Sequence, residues 1–110
     1  MPATLNETEQ LVLLALLRLA DDAYAVPIRE EIEARAGRKL SVTAVYAALD
    51  RLERDGHVRS WLSDPLPERG GRARKHFAIR PSGAAALRRE RASLDRMWEG
   101  LEAHPALRGR

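Results

Sequence analysis

Apolar residues occupy nearly every face of the first segment that has helical character. Asn6 followed by Glu9 predicts a capping-box start, and the helix is expected to run to about Ala20. A helix that is apolar on all sides must be buried on all sides. One small domain hardly provides that cover, so a second subunit is expected to contribute to it.

Two further helices are predicted before any strand. The second begins near Ala25, with Pro27 in its first turn, and ends at Gly37. The third is expected from Ser41, a good N-cap, to Asp55. Its apolar positions follow the i, i+3, i+4, i+7 rule and should face the core; they are Val45, Ala48, Leu49 and Leu52. Its outer positions are Thr43, Tyr46, Ala47 and Asp50.

The second half of the chain predicts a hairpin and a long final helix. Strands are expected at about residues 57–63 and 74–80, separated by a loop that contains two prolines and two glycines. A helix should then run from Pro81 to about Ala103, where His104 and Pro105 end it. Two interleaved heptad series indicate a pairing face: Ala84, Arg91 and Trp98 form one, and Leu87, Leu94 and Leu101 form the other.

This order of elements is that of a winged helix-turn-helix with an added pairing helix. The fold class is therefore expected to be mainly α (α+β), with a DNA-binding domain over residues 1–80 and a C-terminal dimerisation helix and tail over residues 81–110. A helix about 10–12 Å wide with its side chains fits a major groove of about 12 Å. The third helix would then read DNA, and the hairpin would lie along the neighbouring backbone or minor groove.

Composition limits the class of protein. The 110 residues are 45% hydrophobic and 32% charged, without cysteine, which excludes disulfides, thiolate metal sites and cysteine nucleophiles. The longest apolar run, residues 11–17, is far below the roughly 20 residues that cross a bilayer. We expect no signal peptide, no membrane partner and a cytoplasmic location. No catalytic set, cofactor motif or metal-ligand spacing is found, so an enzyme is not expected.

The charge is distributed unevenly. Residues 1–55 carry seven basic and ten acidic side chains, whereas residues 56–110 carry twelve and six. Five basic residues and no acid lie between Arg69 and Arg80. A local cationic segment indicates either a polyanionic partner, such as double-stranded DNA, or a solvated basic loop. Charge alone does not decide between the two.

Two segments resemble the PadR family of bacterial transcriptional regulators. The third helix resembles that family's recognition helix in Tyr46, Leu49, the triplet Arg51-Leu52-Glu53 and Gly56, and Tyr24 fits a further family tyrosine. The hairpin resembles the family's wing in Gly71, Arg72, Arg74, Lys75 and Gly83. Departures are Ala44, Ala47, Ala73, and the pair His76 and Phe77 in place of two aromatic residues. The resemblance implies a homodimeric repressor with one C-terminal helix per chain.

These arguments single out candidate site residues. The candidate DNA contacts are Ser41, Thr43, Tyr46, Arg72, Arg74 and Lys75. The candidate dimer contacts are Leu87, Leu94, Trp98 and Leu101. Trp98 is also a candidate contact for a small aromatic or hydrophobic effector, although simple interface packing explains it as well. The alternative function is a protein-interaction module that uses the winged fold without binding DNA.

Overall fold

The computed structural model describes residues 4–63 and 73–109. Four α-helices and one two-stranded antiparallel sheet make up this part of the chain. In chain order they are α1 (Glu7–Leu19), α2 (Ala25–Ala36), α3 (Val42–Arg54), β1 (Val58–Leu62), β2 (Lys75–Ile79) and α4 (Pro81–Trp98). Short 3₁₀ turns cover Ala20–Asp22 and Pro105–Leu107. None of the helices within these residues is long and apolar enough to cross a membrane.

The helix ends follow the capping residues of the sequence. Asn6 Oδ1 accepts from Glu9 N at 2.7 Å, and Glu9 Oε1 accepts from Asn6 N at 2.8 Å. Ser41 Oγ accepts from Ala44 N at 3.0 Å at the start of α3. Gly37 ends α2 with φ 68°, a left-handed conformation that glycine adopts without a side-chain clash. The predicted starts of α1, α2 and α3 are confirmed.

The core lies between the first three helices and the hairpin. The four inner residues of α3 are each 0% exposed and are Val45, Ala48, Leu49 and Leu52. Phe77 of β2 and Val12 and Leu13 of α1 are also fully buried against them. The helical spacing therefore identified the buried face of α3 correctly.

The hairpin is attached to the helices at both of its strands. Val58 pairs with Ile79 and Trp61 pairs with His76 in the antiparallel register. Phe77 N donates to the carbonyl oxygen of Ala23 at 2.9 Å, which joins β2 to the connection between α1 and α2. The hairpin thus has a fixed position beside the start of α2.

The last helix is shorter than the sequence predicts. It ends at Trp98 rather than near Ala103, and Gly100 then takes φ 80° in a turn closed by Leu101 N on the carbonyl of Trp98 at 2.8 Å. Glycine takes this left-handed conformation at no steric cost, so the chain reverses before the heptad pattern is complete. Leu101 therefore lies outside the helix, and the prediction of a third heptad in α4 is wrong.

Only the beginning of α4 packs on the body of the chain. Gly83 is buried because the carbonyl oxygen of His57 approaches it so closely that an added Cβ would lie 2.4 Å from that oxygen. Ala86, one turn later, is 2% exposed. From Arg91 to Gly100 every residue is exposed, so the second half of the helix extends away from the core of its own chain.

Candidate nucleic-acid interface

The outer face of α3 is free of contacts that would hide it. Thr43, Tyr46 and Ala47 are exposed, as the helical spacing predicts, and Tyr46 keeps 41% of its surface open. The hydrogen bonds of the residues described include none from the Tyr46 hydroxyl. Ser41 uses its oxygen as the helix cap, which leaves its hydroxyl hydrogen free to donate. This face can enter a major groove with polar groups unengaged.

The two wing residues that the structure describes, Arg74 and Lys75, point to opposite faces of β2. Lys75 Nζ lies 3.8 Å from Glu53 Oε1 of α3 and 5.6 Å from the Phe77 ring centroid, on the face that meets the core. Arg74 lies on the other face, where Tyr24 holds it. Arg72, the third predicted wing contact, lies outside the described residues.

A row of stacked rings covers the outer face of the hairpin. The ring of His76 lies 5.6 Å from that of Trp61, nearly parallel to it, and 5.4 Å from that of Tyr24 at a steeper angle. A guanidinium closes each end: Arg59 lies 4.6 Å from the Trp61 ring, and Arg74 lies 4.4 Å from the Tyr24 ring. We call these five residues the outer-face stack. Such cation–π contacts orient arginine side chains.

Two arginines near the first three helices, Arg38 and Arg51, are already engaged. Arg38 binds the Glu7 carboxylate with two hydrogen bonds, one of them from Nη2 to Oε2 at 3.1 Å. These bonds and the guanidinium charge hold the pKa of the Glu7 carboxyl below its usual value. Arg51 Nε donates to Glu9 Oε2 at 3.1 Å and so joins α3 to α1. These arginines stabilise the helical body.

Large apolar side chains are exposed on α1 and α4. Leu14 and Leu17 of α1 are 47% and 55% exposed, and Leu94 and Trp98 of α4 are 55% and 48% exposed. Together with the half-buried Leu87 they line a groove of about 530 Å³ between the two helices. The predicted contacts Leu87, Leu94 and Trp98 are thus brought together.

Leu101 is separated from that groove. It lines a neighbouring hollow of about 250 Å³, which Leu107 of the C-terminal 3₁₀ turn helps to form against α4. Leu101 is 41% exposed, so it remains on the same apolar surface as Leu94 and Trp98 although it is not in the helix.

The described part of the chain contains no cluster of three or more His, Asp or Glu side chains able to hold a metal ion. His57 and His76 lie toward opposite ends of the hairpin, as the register requires. His57 Nδ1 is 3.1 Å from Ser82 Oγ, which donates to the carbonyl oxygen of Gly56 at 2.7 Å. Histidine here serves packing and turn structure.

A three-helix core, a hairpin beside the third helix and an exposed polar face on that helix define a winged helix-turn-helix DNA-binding regulator. The chain matches the transcriptional regulator PadR-like family over residues 13–89. It therefore belongs to that family and is a DNA-binding transcriptional regulator, not an enzyme.

Solved structures agree with this fold. A transcriptional regulator from Clostridium thermocellum has a TM-score of 0.71 at 18% identity, covering 89% of each chain. A PadR family transcription regulator from Clostridium difficile has a TM-score of 0.70 at 21% identity, covering 88% of this chain and 95% of its own. A PadR family regulator from Eggerthella lenta has a TM-score of 0.66 at 25% identity, covering 84% and 78%. No curated protein matches the sequence.

The contact between Tyr24 and Arg74 is the main feature of the site that sequence reasoning missed. Tyr24 fits a family tyrosine, but neither its spacing nor its neighbours assign it a partner. The sequence signal is the combination of an aromatic residue at the start of α2 and a basic residue at the base of the wing. The DNA-contact roles of Ser41, Thr43, Tyr46, Arg74 and Lys75 remain predictions.

Proposed function

We propose that this regulator is a homodimeric repressor that binds an inverted-repeat operator and is released by a small hydrophobic effector. The observation that carries the proposal is the apolar groove between α1 and α4. Leu14, Leu17, Leu94 and Trp98 expose large apolar surfaces on one continuous face. Contiguous exposed apolar patches usually mark interaction sites, and a second copy of the chain provides a matching surface by two-fold symmetry.

Dimer symmetry determines the form of the operator. Two copies of α3 related by a two-fold axis read two half-sites in inverted orientation, about one helical turn or 34–36 Å apart. Thr43, Tyr46 and Ala47 would face the bases, with Ser41 at a phosphate. The wing would contribute backbone contacts that add affinity more than sequence choice. A dimer placed across a promoter would exclude RNA polymerase, which makes repression the expected outcome.

An effector would act where the two subunits meet. The site would be the part of this groove of about 530 Å³ that the partner leaves open, and small-molecule sites have volumes of about 300–1,000 Å³. The Trp98 ring, 48% exposed on its wall, offers a face for a flat aromatic compound. A ligand that favours one spacing of the two α3 helices would shift the dimer away from the operator-binding state. Action on DNA also implies a cytoplasmic location.

The proposal is tested by transcription in vitro from promoters recovered as bound genomic fragments. Added protein should lower transcript yield, and Tyr46→Ala, which alters the outer face of α3 alone, should lose most of that effect. An increase in transcript would contradict repression. For the effector, the Trp61→Phe variant leaves Trp98 as the single tryptophan. Planar aromatic compounds should quench its fluorescence and restore transcription together. Compounds that restore transcription without changing this fluorescence would place the effector elsewhere.

A further inference from the structure

Tyr24 and Arg74 form a contact between parts of the chain that are 50 residues apart. Arg74 Nη1 donates to Tyr24 Oη, and the guanidinium carbon lies 4.4 Å from the centroid of the ring. The hydrogen bond and the ring contact together hold the guanidinium in one orientation. Arginine side chains otherwise have large rotational freedom, and fixing them in advance reduces the entropy lost when they bind a ligand.

Both groups retain hydrogen-bond donors after this contact is made. A guanidinium has five N–H donors, and Tyr24 takes one of them. None of the ion pairs between described residues involves Arg74. The Tyr24 oxygen accepts from Arg74, so its own hydrogen is left to donate, and the side-chain hydrogen bonds of residues 4–63 and 73–109 give it no acceptor. Two adjacent donors, one of them charged, suit an anion with several oxygens.

The surroundings favour an anion at this position. Tyr24 is the N-cap of α2, yet its side chain does not cap the helix, and the first turn has no acidic residue. The positive end of the α2 dipole therefore lies beside the pair. Asp21 and Asp22 precede it, but neither is joined to Arg74 by an ion pair in the described structure. The Phe77–Ala23 backbone bond at 2.9 Å keeps the wing base against the start of α2.

We infer that Tyr24 and Arg74 together bind one phosphate of the DNA backbone. Arg74 supplies the charge and one or more N–H donors, and the Tyr24 hydroxyl donates to the same phosphate while its ring orients the guanidinium. This inference rests on the proposed placement of the wing against DNA. It assigns to Tyr24 a binding role beyond its packing against His76. It also distinguishes Arg74 from Arg59, which has a similar ring contact on Trp61 but no hydroxyl beside it.

The test measures affinity for a random-sequence duplex at several salt concentrations by fluorescence anisotropy. Arg74→Gln should weaken binding and reduce the slope of log K against log[salt] by about one phosphate contact, roughly 0.9. Tyr24→Phe keeps the ring and removes the donor. It should weaken binding about tenfold, the fold change equivalent to one hydrogen bond to a charged group. Because a neutral hydroxyl releases no counterion, its salt slope should remain that of the wild type.

A double-mutant cycle decides whether the two residues share a phosphate. When Arg74 is already Gln, the loss of DNA affinity caused by Tyr24→Phe should shrink to twofold or less. A twofold change is roughly the measurement error. In the matched control background Arg59→Gln, which removes a charge from the same sheet face, the affinity loss caused by Tyr24→Phe should remain about tenfold. Equal losses in all backgrounds, or wild-type binding by Tyr24→Phe, would overturn the inference. Melting temperatures of the variants identify a purely structural role. In that case the substitution lowers the folded fraction, and the DNA affinity of the protein that remains folded does not change.

The cycle also separates this inference from the proposed function. If Arg74→Gln binds random DNA with wild-type affinity and salt slope, Arg74 does not contact DNA and this inference fails, whereas the proposed repressor function, which rests on the α1–α4 groove and on α3, is left standing. If Arg74→Gln weakens binding while Tyr24→Phe does not, the wing contact stands and the shared phosphate site is wrong.

Discussion

The two faces of α3 provide the sharpest pair of substitutions, because one helix carries both the core contact and the proposed reading surface. Leu49 is 0% exposed, whereas Tyr46, three residues earlier, is 41% exposed. Leu49→Ala removes buried methyl and methylene groups and leaves a cavity, which lowers the free energy of unfolding by roughly 2–5 kcal/mol. Tyr46→Ala removes a ring that is open to solvent and should lower it by about 1 kcal/mol or less.

These free energies give distinct signals in two assays. For a domain near 100 residues, 1 kcal/mol corresponds to roughly 4–8 °C in melting temperature. Leu49→Ala should therefore lower Tm by at least about 8 °C, and Tyr46→Ala by a few degrees. Losing a base contact costs about 1–3 kcal/mol, which is roughly a 5- to 150-fold loss of operator affinity. That loss should appear for Tyr46→Ala, while folded Leu49→Ala should bind like the wild type.

Calorimetry and operator titration on the same preparations check this pair. Tyr46→Phe is the matched control, since it retains the ring and separates its contribution from that of the hydroxyl. If Tyr46→Ala lowers Tm as much as Leu49→Ala and leaves affinity per folded dimer unchanged, the assignment of the reading face is wrong.

Three further predictions concern the dimer, a close contact and a pH effect. Leu94 is 55% exposed in the single chain, so Leu94→Asp should leave the fold intact. Light scattering at micromolar concentration should then show a monomer in place of the wild-type dimer, and an unchanged dimer would refute the interface role of Leu94. Gly83→Ala would place a Cβ 2.4 Å from the His57 carbonyl oxygen, and this overpacking should lower the free energy of unfolding by about 1–3 kcal/mol, measured by urea denaturation. Arg38 lowers the pKa of Glu7, so the free energy of unfolding of the wild type should exceed that of Glu7→Gln above about pH 4.3. This difference should vanish as the pH falls through the lowered pKa of Glu7. A difference that stays constant with pH would contradict the linkage.

Local signals explain why the helix starts could be predicted. Asn6 with Glu9, and Ser41 before α3, satisfy backbone N–H groups within three residues of themselves. That chemistry does not depend on the rest of the fold. The two faces of α3 follow from helical geometry in the same way, because residues three and four apart lie on one side.

Contacts between distant segments could not be predicted. The structure pairs Arg51 with Glu9 of α1, 42 residues away, and nothing in the local sequence around either residue points to the other. The expectation that α1 needs cover on all sides holds only in part. Its own chain buries Val12, Leu13 and Leu16 and leaves Leu14 and Leu17 exposed. Cover of these two by a second subunit stays a prediction.

The end of α4 shows how one residue overrides a pattern. The heptad spacing continues through Leu101, but Gly100 allows a left-handed turn at φ 80°. A pattern of apolar spacing carries no information on where the backbone reverses. A glycine inside a helix is disfavoured by only about 1 kcal/mol, so the presence of Gly100 alone does not exclude a longer helix.

Hydroxyl-radical footprinting on a genomic fragment that the protein binds tests the central claim most directly. A dimer that places one α3 in each of two major grooves should protect two backbone segments related by a dyad, with centres about one helical turn, or 34–36 Å, apart. Their sequences should form an inverted repeat. A single protected segment with no dyad, at a protein-to-DNA ratio of one chain per site, would contradict the account.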